Sequence, residues 1–449
     1  MVGDEEGVGA RLGVGEDPIA RNPEPTLGNR PVTPPNDRRP LPGSATVAAD
    51  EQVMESAVPR PGEAARRIAR LIPLEQFRAL TLVGVLAVIW IMFQLLTNGL
   101  FLSPRNLTTL TIQVAVTAIL AAGIVVIMVP GHIDLSIGSA VAFCGMFASL
   151  LVDPARGLGW PLSPSMLILL TLLLGLLIGM WQGFWVAWMR VPAFIVTLAS
   201  LLALRGAALT ITGGSTASPE DKLTFLAAEF LPAWVGMLLL AGLVAGFLGL
   251  RVLDWRARRA AGIEASLLNT VVVPVVLLGV LAGGAVAVAF SYRGAPLPVV
   301  ILGGEIAAIT FFMNRTRFGR HLYAIGGNPD AARYAGINAK LHSFGVFAAM
   351  GLFYGLAGML LVSRIGVAVP TAGTGLELTV IASAVIGGTS LFGGVGTATG
   401  AVIGALLLES LNNGMGLMNV ESSFQMIVNG LVLLVAVYFD LRGRRAQRE

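Results

Sequence analysis

Residues 107–139 read LTTLTIQVAVTAILAAGIVVIMVPGHIDLSIGS. No charged side chain lies between Leu107 and Pro130. A helix over that run rises about 36 Å at 1.5 Å per residue, enough to cross a hydrocarbon core of roughly 30 Å. The run stops at Pro130-Gly131, and a second apolar run opens at Ile137. Proline has no N–H and glycine favours non-helical backbone, so the helix breaks here. At membrane depth, broken backbone is tolerated where protein buries it or where it lines a water-filled cavity. Two readings fit. In one, Gly131, His132, Asp134, Ser136 and Gly138 belong to a broken helix that lines or gates a solute path. In the other, this is a cytoplasmic turn and Asp134 caps the helix that starts near Leu135.

Working outward, apolar blocks recur at about 79–100, 107–130, 137–152, 166–189, 193–212, 231–250, 267–290, 296–313, 342–363, 376–392, 396–411 and 424–440. The fold class that follows is an all-α polytopic integral membrane protein with about 10–12 transmembrane helices. Blocks 137–152 and 396–411 are short and suit half-helices or re-entrant segments. The composition agrees: 55% of residues are hydrophobic and 12% charged, against about 25% charged in soluble domains. No strand-like alternation at ~10-residue spacing points to a β-barrel. The blocks are rich in Gly, Ala, Ser and Thr, which let helices approach closely in a bilayer.

Residues 1–72 differ. They are polar, and Asn22 to Pro42 alone holds seven prolines; such a segment reads as a disordered tail. Arg60, Arg66, Arg67, Arg70 and Arg78 precede the first block, which predicts a cytoplasmic N-terminus. Loops after even-numbered blocks then face the cytoplasm, and they carry the arginine clusters: Arg251 to Arg259, Arg315 to Arg333, and Arg442 to Arg448. The loop after the fifth block, with Glu220, Asp221 and Glu229, faces outside. The expected organisation is a cytoplasmic tail over 1–72, a transmembrane domain over 73–441 and a cytoplasmic C-terminal tail over 442–449. The net charge of +4 marks membrane sidedness and not nucleic-acid binding.

Two further stretches carry function. Gly387, Gly388, Thr389 and Ser390 open a second Gly/Ser break before a small-residue block, and corresponding interrupted segments hint at an internal repeat with a site at its interface. The loop Gly319 to His342 contains Asn328-Pro329-Asp330-Ala331-Ala332-Arg333-Tyr334-Ala335-Gly336. Asn328 suits an N-cap, Pro329 the first helical position and Gly336 the end of a short amphipathic helix, or else the loop is a positively charged connector. Among polar residues within blocks, Gln182, Thr389, Asn412 and Asn413 either meet a hydroxylated solute or join helices. Arg205 and Glu305 are the intramembrane charges. An ion-driven carrier asks for a carboxylate cluster at the midplane, and Glu305 stands there without a neighbour at helical spacing. No Gly-Lys dipeptide occurs, which excludes a P-loop. Three scattered histidines and one cysteine, Cys144, offer no zinc site and no disulfide.

Gly131-His132-Ile133-Asp134-Leu135-Ser136-Ile137-Gly138-Ser139 resembles the Gly-Gly-Ile-Asp-Leu-Ser-Val-Gly-Ser pattern of the monosaccharide ABC importer permeases, the ribose, galactose, arabinose and xylose permeases. Val191 to Leu198, Leu204-Arg205-Gly206 and Tyr323 to Asn328 resemble that family as well. Asp330, Ala331, Ala332 and Gly336 are similar to its coupling motif Glu-Ala-Ala-x-x-x-Gly, with Asp for Glu. The likeness covers about 75–445 and is strongest to the xylose permeases, through the extra spans 231–250 and 267–290 and the run Ser410 to Met415. The long N-terminus and His132 depart from the pattern.

The resemblance implies a homodimeric permease of an inner membrane that imports a monosaccharide, with the path at the dimer interface. It implies two copies of a separate ABC ATPase subunit, which bind the ATP, and an extracytoplasmic sugar-binding protein; the chain itself needs no cofactor. Asn328, Asp330, Ala331, Ala332, Arg333 and Gly336 would then couple to the ATPase. An ion-coupled transporter and a branched-chain amino-acid permease are the alternatives.

Overall fold

A computed structural model of the chain describes residues 74–260, 266–272, 275, 288 and 290–448. The expected tail over 1–72 and most of the block 267–290 lie outside the described residues. The rest is helical. In order come α1 (Leu74–Leu96), α2 (Pro104–Met128), α3 (Ile137–Val152), α4 (Pro164–Ala187), α5 (Ala193–Thr212), the one-turn α6 (Phe225–Ala228) and α7 (Ala233–Ala260). Then follow α8 (Leu297–Arg315), α9 (Arg317–Gly327), the short α10 (Pro329–Tyr334), α11 (Ala339–Ile365), α12 (Leu376–Ile386), α13 (Ala398–Leu417) and α14 (Ser422–Arg448). Phe230–Leu231 and Ala295–Pro296 pair as a minimal antiparallel ribbon.

Local chemistry sets the ends of these helices. α2 and α4 both open with Ser-Pro. The Ser103 hydroxyl accepts the Asn106 N–H and the Ser163 hydroxyl accepts the Met166 N–H, with proline at the first helical position. Asn338 caps α11 through the Leu341 N–H, and Gly366 ends it with φ +84°. Five described helices are long and apolar enough to cross a membrane: α2, α4, α5, α8 and α11. The block 137–152 is indeed the short α3, but the other expected half-helix is displaced. The block 396–411 belongs to a 20-residue helix, α13, and the shortened partner is α12, with 11 residues. Gly387 ends α12 early, because its backbone packs on Gly400: a Cβ there would lie 2.1 Å from the Gly400 carbonyl oxygen.

Two helices form the centre. In α2, 83% of the apolar window is buried and in α11 67%, against 22% in α4 and α5. The other helices therefore wrap α2 and α11 and turn their outer faces to lipid. α4 runs along α11 most extensively, and glycines make that contact possible. A Cβ on Gly175 would sit 2.2 Å from the Gly351 oxygen, and one on Gly179 2.2 Å from the Phe347 oxygen. Lipid tails are as apolar as leucine, so helices in a bilayer gain from close van der Waals approach more than from burial.

Gly351→Val is expected to push α4 off α11 at a cost of about 3 kcal/mol, read as a fall in the thermal midpoint of the purified protein in detergent. Gly84→Val, where nothing lies within 4 Å, should leave the midpoint unchanged.

Candidate functional site

The first break climbs away from the end of α2. Gly131 takes φ +93°, and the His132 N–H returns to the Ile127 oxygen at 3.1 Å. His132 Nε2 meets the Ser343 hydroxyl at 2.8 Å near the start of α11. Two residues on, Asp134 meets Tyr354, near the middle of the same helix. The Asp134 carboxylate accepts the Ser136 N–H at 2.8 Å, the Ser136 hydroxyl at 2.7 Å and the Tyr354 phenol. Gln182 donates to the Ser136 hydroxyl at 2.8 Å and accepts from Tyr354 at 3.3 Å. Asp134, Ser136, Gln182 and Tyr354 are each 0% exposed, so this is a closed polar knot inside the bundle and not a surface turn. Nor does Asp134 cap α3: the helix begins at Ile137, and Ser136 is its N-cap residue.

The second break packs directly on the first. The Gly394 N–H donates to the Val129 oxygen at 2.8 Å. A Cβ on Gly326, in α9, would lie 1.8 Å from that same oxygen and 2.5 Å from the Gly394 nitrogen. The Tyr323 phenol donates to the Gly396 oxygen at 2.7 Å. The two interrupted segments and the helix leading to the Asp330 loop therefore share one joint. Gly388 takes φ +102°, Ser390 caps the Phe392 N–H at 3.0 Å, and the buried Thr389 hydroxyl has no hydrogen-bond partner among the described residues.

A third irregular segment runs from Gly366 to Gly375. Its outer end is pinned where Ala368 pairs with Ala217. Its inner end lies on α3, where a Cβ on Gly138 would fall 2.1 Å from the Gly373 oxygen and 2.4 Å from the Glu377 carboxylate. Gly138 is fourteen residues from Val152, about 21 Å along the helix, so this loop is re-entrant. Arg205 holds it: Nη1 donates to the Pro370 and Ala372 oxygens at 2.7 and 3.0 Å.

At the end of the bundle next to the glycine joint, α10 stands out from the other helices. The Asn328 carboxamide accepts the Ala331 N–H at 3.0 Å, Ala332 turns inward at 5% exposed, and Gly336 closes the helix with φ +77°. Asp330, Ala331 and Arg333 face solvent, and Tyr334 is 83% exposed. Behind α10, His321 Nδ1 and His342 Nε2 lie 3.1 Å apart, and His342 Nδ1 meets the Asn338 oxygen at 2.7 Å. The histidines that look scattered in the sequence are thus brought together, with Phe318 stacked on His342.

Residues 106–437 match the family described as the permease component of the branched-chain amino acid transport system. The chain belongs to this permease family. The xylose transport system permease protein XylH of Escherichia coli is 41% identical over 365 residues, 81% of this chain and 92% of that protein. XylH of Haemophilus influenzae is 40% identical over 362 residues, 80% of this chain and 95% of that protein. The ribose import permease protein RbsC of Escherichia coli is 35% identical over 360 residues, 80% of this chain and 92% of that protein. No solved structure matches the chain.

Other polar groups of the permease join helices. Asn413 accepts from Asn106 at 2.8 Å and donates to Gln113 at 3.2 Å, while Asn412 accepts from Asn429 at 3.0 Å. Beside them Glu409 accepts the Thr117 hydroxyl at 2.6 Å. Glu409 and Glu377 correct the expectation that Glu305 stands alone among intramembrane carboxylates: both lie within helices of the bundle. Their signal was present as single acidic residues in apolar runs, LLLESL and LELTVI. Both Glu305 oxygens are buried without a hydrogen-bond partner among the described residues. Tyr354 was the residue least visible in the sequence, although its place between Gly351 and Gly355 marks a polar tip in a close-packed stretch.

Just past the end of α3, Asp153 ties that helix to the loop after α5. Its carboxylate accepts N–H groups of Ser218 at 2.8 Å, Ala155 at 2.8 Å and Arg156 at 3.1 Å. These bonds, chiefly that from Ser218, hold its carboxyl below the usual carboxylate range.

A depressed folded pKa contributes stability that is complete above the unfolded value and is lost as pH falls through the folded one. Hydrogen exchange of residues 213–222 should therefore quicken as pH falls below about 3.9, after correction for intrinsic exchange, and Asp153→Asn should remove that acid dependence. In the knot, Asp134→Ala strands two buried hydroxyls and an N–H at about 1–3 kcal/mol each. It is expected to lower the thermal midpoint by several degrees and to impair transport, with Asp134→Asn milder in both measurements.

Proposed function

We propose that this permease is the membrane subunit of an ATP-driven importer of a monosaccharide, xylose or a related pentose or hexose. It works as a homodimer in the inner membrane of a prokaryote, with both termini cytoplasmic. A separate ATPase subunit binds and hydrolyses ATP, and an extracytoplasmic sugar-binding protein delivers the solute. The observation that carries the energy source is α10: a capped six-residue helix with one buried alanine and an exposed tyrosine, rigidly joined through α9 to both helix breaks. A solvated connector has no need of that build, whereas a lever that docks in a partner's cleft does. Residues Asn328, Asp330, Ala331, Ala332, Arg333 and Gly336 form it, and Tyr334 adds an aromatic anchor of the kind enriched at interfaces.

Support for the solute comes from likeness over nearly the whole of the xylose permeases and from the chemistry of the bundle. A neutral polyol asks for no counter-charge. The breaks around Gly131, His132, Asp134, Ser136 and Gly138, and around Gly387, Gly388, Thr389 and Ser390, form the joint that switches the open side of the path. Asn412 and Asn413 support the helix beside it.

When α10 moves with the ATPase, α9 presses on the glycine joint at Gly326, Val129 and Gly394, and the two breaks shift together. Gly336→Pro removes a positive φ and an N–H that donates to the Arg333 oxygen at 3.0 Å, a local cost above about 1 kcal/mol. With Ala332→Asp, it is expected to abolish ATP-dependent xylose uptake in cells while the protein still purifies as a folded dimer. Undiminished uptake would overturn the coupling role. Uptake that persists without the ATPase but collapses with the proton gradient would favour an ion-driven carrier using Glu377 and Glu409.

A further inference from the structure

The re-entrant loop leaves a charged face at membrane depth. Arg205 and Glu377, of opposite charge, are both only partly buried. Thr371 and Thr374, on the loop between them in sequence, are exposed, and the Thr374 hydroxyl donates to the Thr371 oxygen at 2.6 Å. Arg205 lies seven residues from the outer end of α5, about 10 Å along the axis. A lipid-facing arginine at that depth extends towards the headgroups, but this guanidinium turns to the loop carbonyls. Nη1 supplies both of its bonds there. Nε and Nη2 make no hydrogen bond among the described residues.

Facing hydrocarbon, such a patch is unfavourable: an arginine at the centre of a span costs about 2.5–3.5 kcal/mol, and irregular backbone is not tolerated against lipid at all. The face therefore borders water, a solute or the second permease copy. Its chemistry fits one class of solute. A guanidinium, a carboxylate and two threonine hydroxyls offer donors and acceptors suited to hydroxyl groups, and together they carry no net charge. We propose that Arg205, Thr371, Thr374 and Glu377 line the solute path and contact the hydroxyl groups of the passing sugar. This rests on the sugar-permease reading and gives it a specific wall: α5, the loop 366–375 and the first turn of α12. Gly138 belongs to the design, because a Cβ there would lie 2.1 Å from the Gly373 oxygen of the loop.

The test uses thiol chemistry on the full chain with its partner subunits in native membranes. The single cysteine, Cys144, is buried, so the unaltered protein gives a blank. Thr374→Cys and, as a lipid-side control, Leu169→Cys, which replaces a side chain 60% exposed on α4, are treated with a charged, membrane-impermeant methanethiosulfonate. Thiolate forms only where water reaches it. Thr374→Cys should react about tenfold faster or more, and saturating xylose with the binding protein should slow it. Glu377→Gln should raise the KM for uptake with little change in maximal rate, and Glu377→Asp should restore part of it. A Thr374→Cys protein that still imports xylose but labels as slowly as Leu169→Cys would overturn the proposal and leave the sugar-permease reading intact. Labelling that xylose never slows would overturn the sugar contact. Failure of the sugar-permease reading shows separately, as wild-type membranes with no ATP-dependent xylose uptake.

Discussion

A peptide group set free inside a bilayer has to find another peptide group, and in this molecule it does so at the Val129 oxygen. That carbonyl, just past the last turn of α2, takes the N–H of Gly394 from the other break and lies against the bare Cα of Gly326. Two broken segments and the helix α9, far apart in sequence, become one joint because Gly131, Gly326, Gly393 and Gly394 meet there. Any side chain at Gly326 would have to occupy the space of the carbonyl. The position of α9, and with it the direction in which α10 projects, is set by this contact.

The same economy of side chains builds the surrounding bundle. Gly175 and Gly179 on α4, Gly351 and Gly355 on α11, and Gly145 opposite Gly358 bring backbones within van der Waals reach. Polar groups are then inserted sparingly and mostly in company, Glu305 and Thr389 being exceptions. Asp134, Ser136, Gln182 and Tyr354 satisfy one another, and Asn413 is held from two sides by α2. Where a polar group is left outside such a network, as at Arg205 and Glu377, its exposure carries information about what lies next to it.

Much of this was legible in the sequence. The helices follow the apolar blocks closely, because a run of apolar residues in a membrane protein has few alternatives to a helix. Pro130-Gly131 and Gly387-Gly388 announced the breaks, and Asn328-Pro329 with Gly336 announced α10, because caps and positive φ are written in residue type. Depth was not legible. Asp134 fitted a cytoplasmic turn equally well until Tyr354 placed it at the middle of α11, and only a three-dimensional partner could decide that. Nor could the sequence say which half of the second repeat is shortened. Block 376–392 looked long enough for a span, but Gly387 packs on Gly400 and stops the helix at Ile386. The carboxylates Glu377 and Glu409 were readable but overlooked, since each stands alone in its run and acquires meaning only from another helix.

α11 has fixtures at both ends. Near its C-terminal end the Ser363 hydroxyl accepts the Ala227 N–H at 2.8 Å and donates to the Thr224 oxygen at 3.0 Å, which clasps the one-turn helix α6. At its N-terminal end His342 grips His321 at 3.1 Å. Between them runs an unbroken rod of 27 residues, about 40 Å long, with Tyr354 as a peg at its waist. A rod fastened at both ends cannot be tilted at one without being tilted at the other. A displacement of the one-turn helix at one end or of the His321–His342 contact at the other therefore works a single seesaw, and the polar knot at Tyr354 lies where its fulcrum would be.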